Sequence, residues 1–185
     1  MKIETERLIL IPFTLAVATG VLTGKLEVLK ELGLNIDDAW PDSEGLATLP
    51  KIVKILETVP RPTGFESWLI VKRATMSVIG DAGFKGRPDS TGMVDIGYGI
   101  IAKERQTGFG FETAKALTNW AFAQPGVRAV TAQCLITNQA SIGLLKKLGM
   151  REIARDDQMI YWKADNRHAT GDELLTLEED QIEQS

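Results

Sequence analysis

Cysteine and histidine occur once each in the 185 residues, as Cys134 and His168. One thiol forms no intramolecular disulfide and builds no Cys-rich zinc site, so a disulfide scaffold and that class of metal centre are excluded and no metal is expected. Basic clusters are missing as well. The 21 Lys and Arg residues are dispersed against 25 Asp and Glu, for a net charge of −4, so nothing marks nucleic acid as a partner. No apolar run approaches membrane-spanning length. The opening Met1-Lys2-Ile3-Glu4-Thr5-Glu6-Arg7 carries acids where a secretion signal would be apolar. A cytoplasmic chain without membrane contact is the expectation. With no internal repeat, linker or low-complexity stretch, residues 1–185 read as a single domain, and 178–185 as a solvated acidic tail.

The chain has an ordinary core complement, 44% hydrophobic. Leu8 to Ile11, closed by Pro12, reads as a first strand. Residues 14 to 33 look helical, with Gly20, Gly24 and Gly33 as breaks. Asn35 to Gly45 is polar and loop-like. Thr48 as N-cap and Pro50 near the first turn predict a helix carrying Ile52, Val53, Leu56 and Val59. Strands are predicted at Phe65 to Lys72, Ser77 to Phe84 and Met93 to Ala102. The turn-forming run Gly86-Arg87-Pro88-Asp89-Ser90-Thr91-Gly92 pairs the last two as a hairpin.

A helix then runs to about Ala123, where Pro125-Gly126 stops it. Its Phe109, Ala116, Leu117, Trp120 and Ala121 share a face. Ala129 to Ile136 is apolar on much of both faces and reads as a central strand. A short helix, Ser141 to Leu148, turns Ile142, Leu145 and Leu148 inward and ends at Gly149. Glu152 to Trp162 reads as a strand, Asp165 to Gly171 as a turn holding His168 at the surface, and Glu173 to Leu177 as a last strand. The order implies an α+β (mixed α/β) fold with one crossover helix.

That crossover helix begins in a loop with chemical content, Arg105-Gln106-Thr107-Gly108-Phe109-Gly110. The first N–H groups of a helix lack intrahelical acceptors, and the dipole favours an anion there. Gly108 and Gly110 admit close approach, while Arg105 and Thr107 offer charge and a hydroxyl. The loop lacks the Gly-Lys-Ser/Thr of a P-loop, and Thr113 stands where a dinucleotide fingerprint needs Gly or Ala. Taken alone, the loop reads equally as a phosphate cradle or as a strand-to-helix turn without a ligand.

Arg105-Gln106-Thr107-Gly108-Phe109-Gly110 resembles the signature of the GNAT (GCN5-related) N-acetyltransferase superfamily: Arg or Gln, two residues, Gly, one residue, Gly or Ala. Asp95-Ile96-Gly97-Tyr98 looks like the strand entering that motif. Asn138-Gln139-Ala140-Ser141 with Leu144-Leu145-Lys146-Lys147-Leu148-Gly149-Met150 resembles the second motif. Thr5-Glu6-Arg7-Leu8-Ile9-Leu10 resembles the start of the ribosomal-protein N-terminal acetyltransferase branch. Four motifs in order, spanning residues 5 to about 177, make the match specific.

The resemblance implies a mostly antiparallel mixed sheet of six to seven strands with helices on both faces, and acetyl-coenzyme A (coenzyme A) as cosubstrate. It implies that N–H groups from Gln106 to Gly110 hold the pyrophosphate and that main chain near Ile100 and Ile101 pairs with the pantetheine arm. Asn138 and Ser141 would lie along the cofactor. A gap between the strands of Tyr98 and Cys134 would hold the acetyl group, and a homodimer through the C-terminal strands is also implied. Many members place at Leu145 a Tyr that protonates the leaving thiolate, which Leu145 cannot do; the branch that acetylates protein N-termini commonly lacks it too. Asp95 stands where the family often has Glu.

Asp95 and Ser141 are therefore the candidate catalytic residues. Each has a structural alternative: a salt bridge for Asp95, the start of a helix for Ser141, and a chain turn for Asn138. Trp40, Trp68, Phe84 and Tyr98 are read as pocket lining or as core, and Cys134 as inert core. The acceptor must be a neutral amine at the moment of attack. At pH 7 roughly a tenth of α-amines are neutral, against a few in ten thousand for Lys, so deprotonation costs about 1.4 against about 4.6 kcal/mol. A site with one short carboxylate and no Tyr favours the α-amine. A coenzyme-binding module without turnover and a nucleotide-binding domain of another fold stand as alternatives.

Overall fold

The computed structural model describes residues 1–167; the expectations for His168, a strand at 173–177 and the acidic tail lie outside the described residues. Among the described residues nine strands form one sheet, in the order β1 (Ile3–Glu4), β2 (Leu8–Pro12), β4 (Ser67–Lys72), β5 (Ser77–Phe84), β6 (Met93–Ile100), β7 (Ala129–Leu135), β9 (Met159–Asp165), β8 (Arg151–Arg155), with β3 (Asn35–Ile36) pairing β5. Nine exceeds the expected six to seven. Two of the additions, β1 and β3, have two residues each. A third arises because Glu152 to Trp162 is a hairpin and not one strand. Its turn is closed by Asp156, whose Oδ1 accepts from the N–H groups of Gln158 (2.8 Å) and Met159 (2.7 Å).

The pairing is antiparallel except between β6 and β7 and between β3 and β5. The buried strands β4 and β5 carry the center of the core. Trp68 and Phe84 join Phe65 and Trp120 in an edge-packed aromatic cluster with ring centroids 5.0–5.8 Å apart. Strand β7 is central by position, yet its second face is open: Gln133 is exposed and Leu135 is 51% exposed.

Among the described residues five helices cover the sheet: α1 (Leu15–Leu22), α2 (Glu27–Glu31), α3 (Ser43–Leu56), α4 (Phe109–Phe122) and α5 (Gln139–Lys147). Gly20 does not break α1. It lies buried inside the helix, and a Cβ there would lie 2.4 Å from a Val28 methyl carbon, so its smallness lets α1 and α2 close on each other. Thr48 is not the cap of α3. Asp42 is, its Oδ1 accepting from the Gly45 N–H at 2.8 Å, and Pro50 lies inside the helix. The apolar periodicity starts a turn later than the helix because the first turn is polar. Strand β6 stops at Ile100, short of Ala102, where a 3-10 turn (Ala102–Glu104) intervenes.

Candidate active site

The β6–β7 ladder has three registered pairs, Met93–Ala129, Val94–Val130 and Asp95–Thr131, and then ends. Beyond Asp95, β6 continues to pair β5 and β7 continues to pair β9, so the two strands part and leave a gap flanked by Tyr98 and Cys134. Ile101 donates its N–H to the Ile79 carbonyl on β5 at 3.0 Å. Alternation then turns the main-chain groups of Ile100 toward the gap and those of Ile101 away from it. Of the two residues expected along the pantetheine arm, Ile100 therefore turns its main-chain groups to the gap and Ile101 turns its own to β5. Ile100's carbonyl already accepts from Arg105 Nε at 2.7 Å.

The loop after β6 turns sharply. Gln106 has φ 61° and Gly108 φ 89°. Gly108 is the N-cap of α4 without a side-chain cap. A side chain there is strained by that φ, and its Cβ would lie 3.2 Å from the Arg7 guanidinium. No described residue accepts a hydrogen bond from the N–H groups of Gln106, Thr107, Gly108, Phe109 or Gly110. Five consecutive free donors at the start of a 14-residue helix fit a pyrophosphate. The side chains contribute less than expected. Thr107 donates its hydroxyl to the Glu104 carbonyl (2.7 Å), and Arg105 is engaged by Ile100 and by Glu44 (3.5 Å) and Asp42 (3.8 Å).

A clamp from the N-terminus braces this loop. Glu112 on α4 accepts from Thr5 Oγ1 (2.6 Å), the Arg7 N–H (2.9 Å) and Arg7 Nε (2.8 Å), and Arg7 donates to the Thr107 carbonyl at 3.0 Å. Arg7 also lies over the Phe109 ring, 4.5 Å from its centroid. Burial pushes the Glu112 carboxyl upward, but the bonds from Thr5 and Arg7 outweigh it and hold its pKa below the usual range. Beside the clamp, a groove of about 410 Å³ includes Arg7, Lys115 and Lys147 in its wall.

Asn138 caps α5 by accepting from the Ser141 N–H at 3.0 Å, so Ser141 lies in the first turn and is not the residue that starts the helix. Leu145 is buried at 1% exposure, in the core, and supplies no acid. Tyr98 approaches from β6. Its hydroxyl is buried without a hydrogen-bond partner, and burial pushes its pKa up, opposed in part by the nearby Ser141 hydroxyl. Trp162 donates its indole N–H to Cys134 Sγ at 3.3 Å, consistent with a core thiol. Asp95 lies at the fork of the gap but is engaged: Lys85 Nζ is 2.5 Å away and Thr131 donates to it at 3.1 Å. Among the described residues no group of three His, Cys, Asp or Glu side chains is placed to hold a metal ion.

On the opposite face a cleft of about 440 Å³ separates α3 from β5 and β6. Asp81 lies in its wall with Asp42, Glu44, Trp40 and Ile52. Neither Asp81 nor the cleft was found from the sequence. The strand itself was predicted, but a lone Asp on it carries no motif, and its place in the cleft follows from α3, whose first turn has no apolar signal.

A parted strand pair with the free N–H groups of a helix start at its mouth is an arrangement suited to an acyl-group transferase. Residues 7–151 match the family model described as an acetyltransferase (GNAT) domain, and the chain belongs to that family. It is an acetyltransferase with acetyl-coenzyme A as the family's donor. The chain is 34% identical over 147 residues to the uncharacterized N-acetyltransferase YjdG of Bacillus subtilis (strain 168), covering 80% of this chain and 88% of that one. The ribosomal-protein-S5-alanine acetyltransferase of Vibrio fischeri has the same fold with TM-score 0.64 at 14% identity, over 90% of this chain and 97% of that one. A ribosomal L7/L12 α-N-protein acetyltransferase in complex with coenzyme A aligns with TM-score 0.63 at 14% identity, over 89% and 98%. Among the described residues no helix is long and apolar enough to cross a membrane.

Proposed function

We propose that this acetyltransferase moves acetyl to a primary amine by direct attack, with coenzyme A on the face of α4 and α5 and the amine entering through the α3 cleft. The observation that carries the reading is the end of the β6–β7 ladder at Asp95 and Thr131, beside the free N–H groups of Gln106 to Gly110. Those five groups hold the pyrophosphate, and the groove of Arg7, Lys115 and Lys147 takes the phosphate at the nucleotide end. Main chain at Ile100 pairs with the pantetheine arm. The thioester supplies the activated acetyl group. Ser141 and Tyr98 bring hydroxyls to the sulfur side of the gap, where Tyr98, neutral and unpartnered, donates to the leaving thiolate. Edge strand β8, exposed at all five residues, is the surface for a homodimer.

The acceptor is an α-amine of a peptide or a small amine of similar basicity, because deprotonation there costs about 3 kcal/mol less than for a Lys side chain. The α-N-protein specificity named for one structural relative supports this. Thiol release from acetyl-coenzyme A, measured across α-amine peptides, ε-amine peptides and small amines, tests the reading. Faster turnover of ε-amines overturns the acceptor class. Coenzyme binding without thiol release would make the chain a binding module, and tighter binding of NAD or ATP would make it a nucleotide-binding domain.

A further inference from the structure

We propose that Asp81, and not Asp95, takes the proton from the acceptor's ammonium group, and that the acidic mouth around Asp81 selects a cationic primary amine on an apolar stem. The proposal rests on the acetyl-transfer reading above. Asp81 lies on β5 opposite Gly99 of β6, the strand that borders the gap. Its Oδ2 is 3.7 Å from where a Cβ on Gly45 would stand, so it faces the first turn of α3 across the cleft. No described residue donates a hydrogen bond or forms an ion pair to its carboxylate. Asp95, by contrast, has Lys85 and Thr131.

The floor beside Asp81 lacks side chains. Gly97 and Gly99 share its face through the β5–β6 register, and a Cβ at either would meet nothing within 4 Å. Neither glycine has the positive φ that would require it. Neither packing nor backbone explains these two glycines; an open path to the gap does. Charged groups on the walls are Asp42, the cap of α3, Glu44 and Lys51 on α3 and Lys85 just beyond β5, while Ile52 and Ile55 give an apolar side. Arg105, from outside the wall, bridges toward Asp42 and Glu44, and Lys85 is paired with Asp95, so one of the two lysines on the wall is engaged.

Burial, with the negative Asp42 adding to it, pushes the Asp81 carboxyl up to about 6. Transfer from an α-ammonium of pKa near 8 is then unfavourable by roughly a hundredfold, against roughly ten-thousandfold for an unperturbed Asp. The protons balance as follows. The ammonium gives one proton to the Asp81 carboxylate, leaving a neutral amine and a carboxylic acid. The amine nitrogen bonds to the thioester carbonyl carbon and the C–S bond breaks. The second nitrogen proton ends on the departing thiolate as coenzyme A thiol, the third remains on the amide, and Asp81 returns its proton to water in the cleft.

The test compares parent, Asp81→Asn and Asp81→Glu by thiol release with an α-amine peptide panel, and by calorimetry with coenzyme A alone. Asp81→Asn should lose about 100-fold or more in turnover, lose the acidic limb of the kcat/KM profile near pH 6, and bind coenzyme A as the parent does. Asp81→Glu should recover part of the rate. Removing this half-buried, unpaired carboxylate should also raise the melting temperature at pH 8 and leave it unchanged at pH 4. Turnover of Asp81→Asn within threefold of the parent, or an unchanged pH profile, overturns the role of Asp81 while leaving acetyl transfer intact. A parent that binds coenzyme A and acetylates no amine overturns the amine acceptor, and this role with it.

Discussion

The two approaches to the gap are built from different materials. The side of α4 is made of main chain: five N–H groups, a left-handed Gly108 and, at Ile100, a strand edge without a β7 partner. The side of α3 is made of one unpaired carboxylate over a floor of glycines, with acids at the mouth. Main-chain chemistry suits a ligand that is always the same, because it tolerates change in most side chains and fixes only backbone geometry. Side-chain chemistry suits an acceptor that differs from one relative to the next. In the proposed reading the first surface sets which donor is bound, and the second sets what receives the acetyl group.

The contrast breaks most visibly at Gly108. Its φ of 89° and the nearby Arg7 guanidinium leave a β-branched side chain no strain-free place. Gly108→Val should weaken coenzyme A binding by about 100-fold, an effect of about 2.7 kcal/mol, measured calorimetrically with the melting temperature as a control for folding. Retained affinity would mean that the N–H groups of this loop are not the pyrophosphate donors. The complementary change is Gly99→Val, whose side chain projects into open space on the other face. Coenzyme affinity should stay as in the parent, while KM for the amine rises about tenfold or more as the path to the gap is filled. A loss of coenzyme affinity instead would show that the two surfaces are not separate.

The same difference explains what could be read from the sequence. Arg105 to Gly110 was legible because backbone sites need glycines at fixed spacing, and spacing survives in a single sequence. The strand order around it followed from turn-forming residues such as those from Gly86 to Gly92. Asp81 was not legible, because its place in the cleft wall comes from α3 packing over a strand well separated from it in the chain, which no local pattern records. Asp95 drew attention by its position in a motif, yet its neighbours Lys85 and Thr131 occupy it. Thr48 misled for a related reason: α3 starts at Asp42, a turn before its apolar stripe. Asp156 hides the β8–β9 hairpin within an otherwise strand-like run.

A smaller effect is expected at the seam of the two surfaces. Tyr98 shares a face with Ala82, and its ring lies near Gly110 and Leu144, on the coenzyme side. Tyr98→Phe keeps the ring and removes the buried hydroxyl. Turnover should fall by about tenfold with coenzyme affinity unchanged, and Ser141→Ala should cost a few-fold by the same assay. An unaffected rate in both variants would leave the thiolate to depart without help from these hydroxyls.

The smallest effect tests how the main-chain surface is held in shape. Glu112 does not touch the proposed pyrophosphate position; it fixes Arg7, and Arg7 fixes the Thr107 carbonyl. Glu112→Gln should reduce coenzyme affinity only a few-fold and cost about 1 kcal/mol of stability at pH 7, a figure kept low because Arg7 is 43% exposed and screened. The pH dependence has a definite sign. Glu112 has a folded pKa below its ordinary value of 4.5, so its contribution is present above about 4.5 and disappears as pH falls through the folded value. The melting temperatures of parent and Glu112→Gln should therefore differ at pH 7 and converge as pH is lowered toward 3. A gap that persists at low pH would assign the loss to packing and not to the charged clamp, and the loop from Arg105 to Gly110 would then owe its shape to Gly108 and the start of α4 alone.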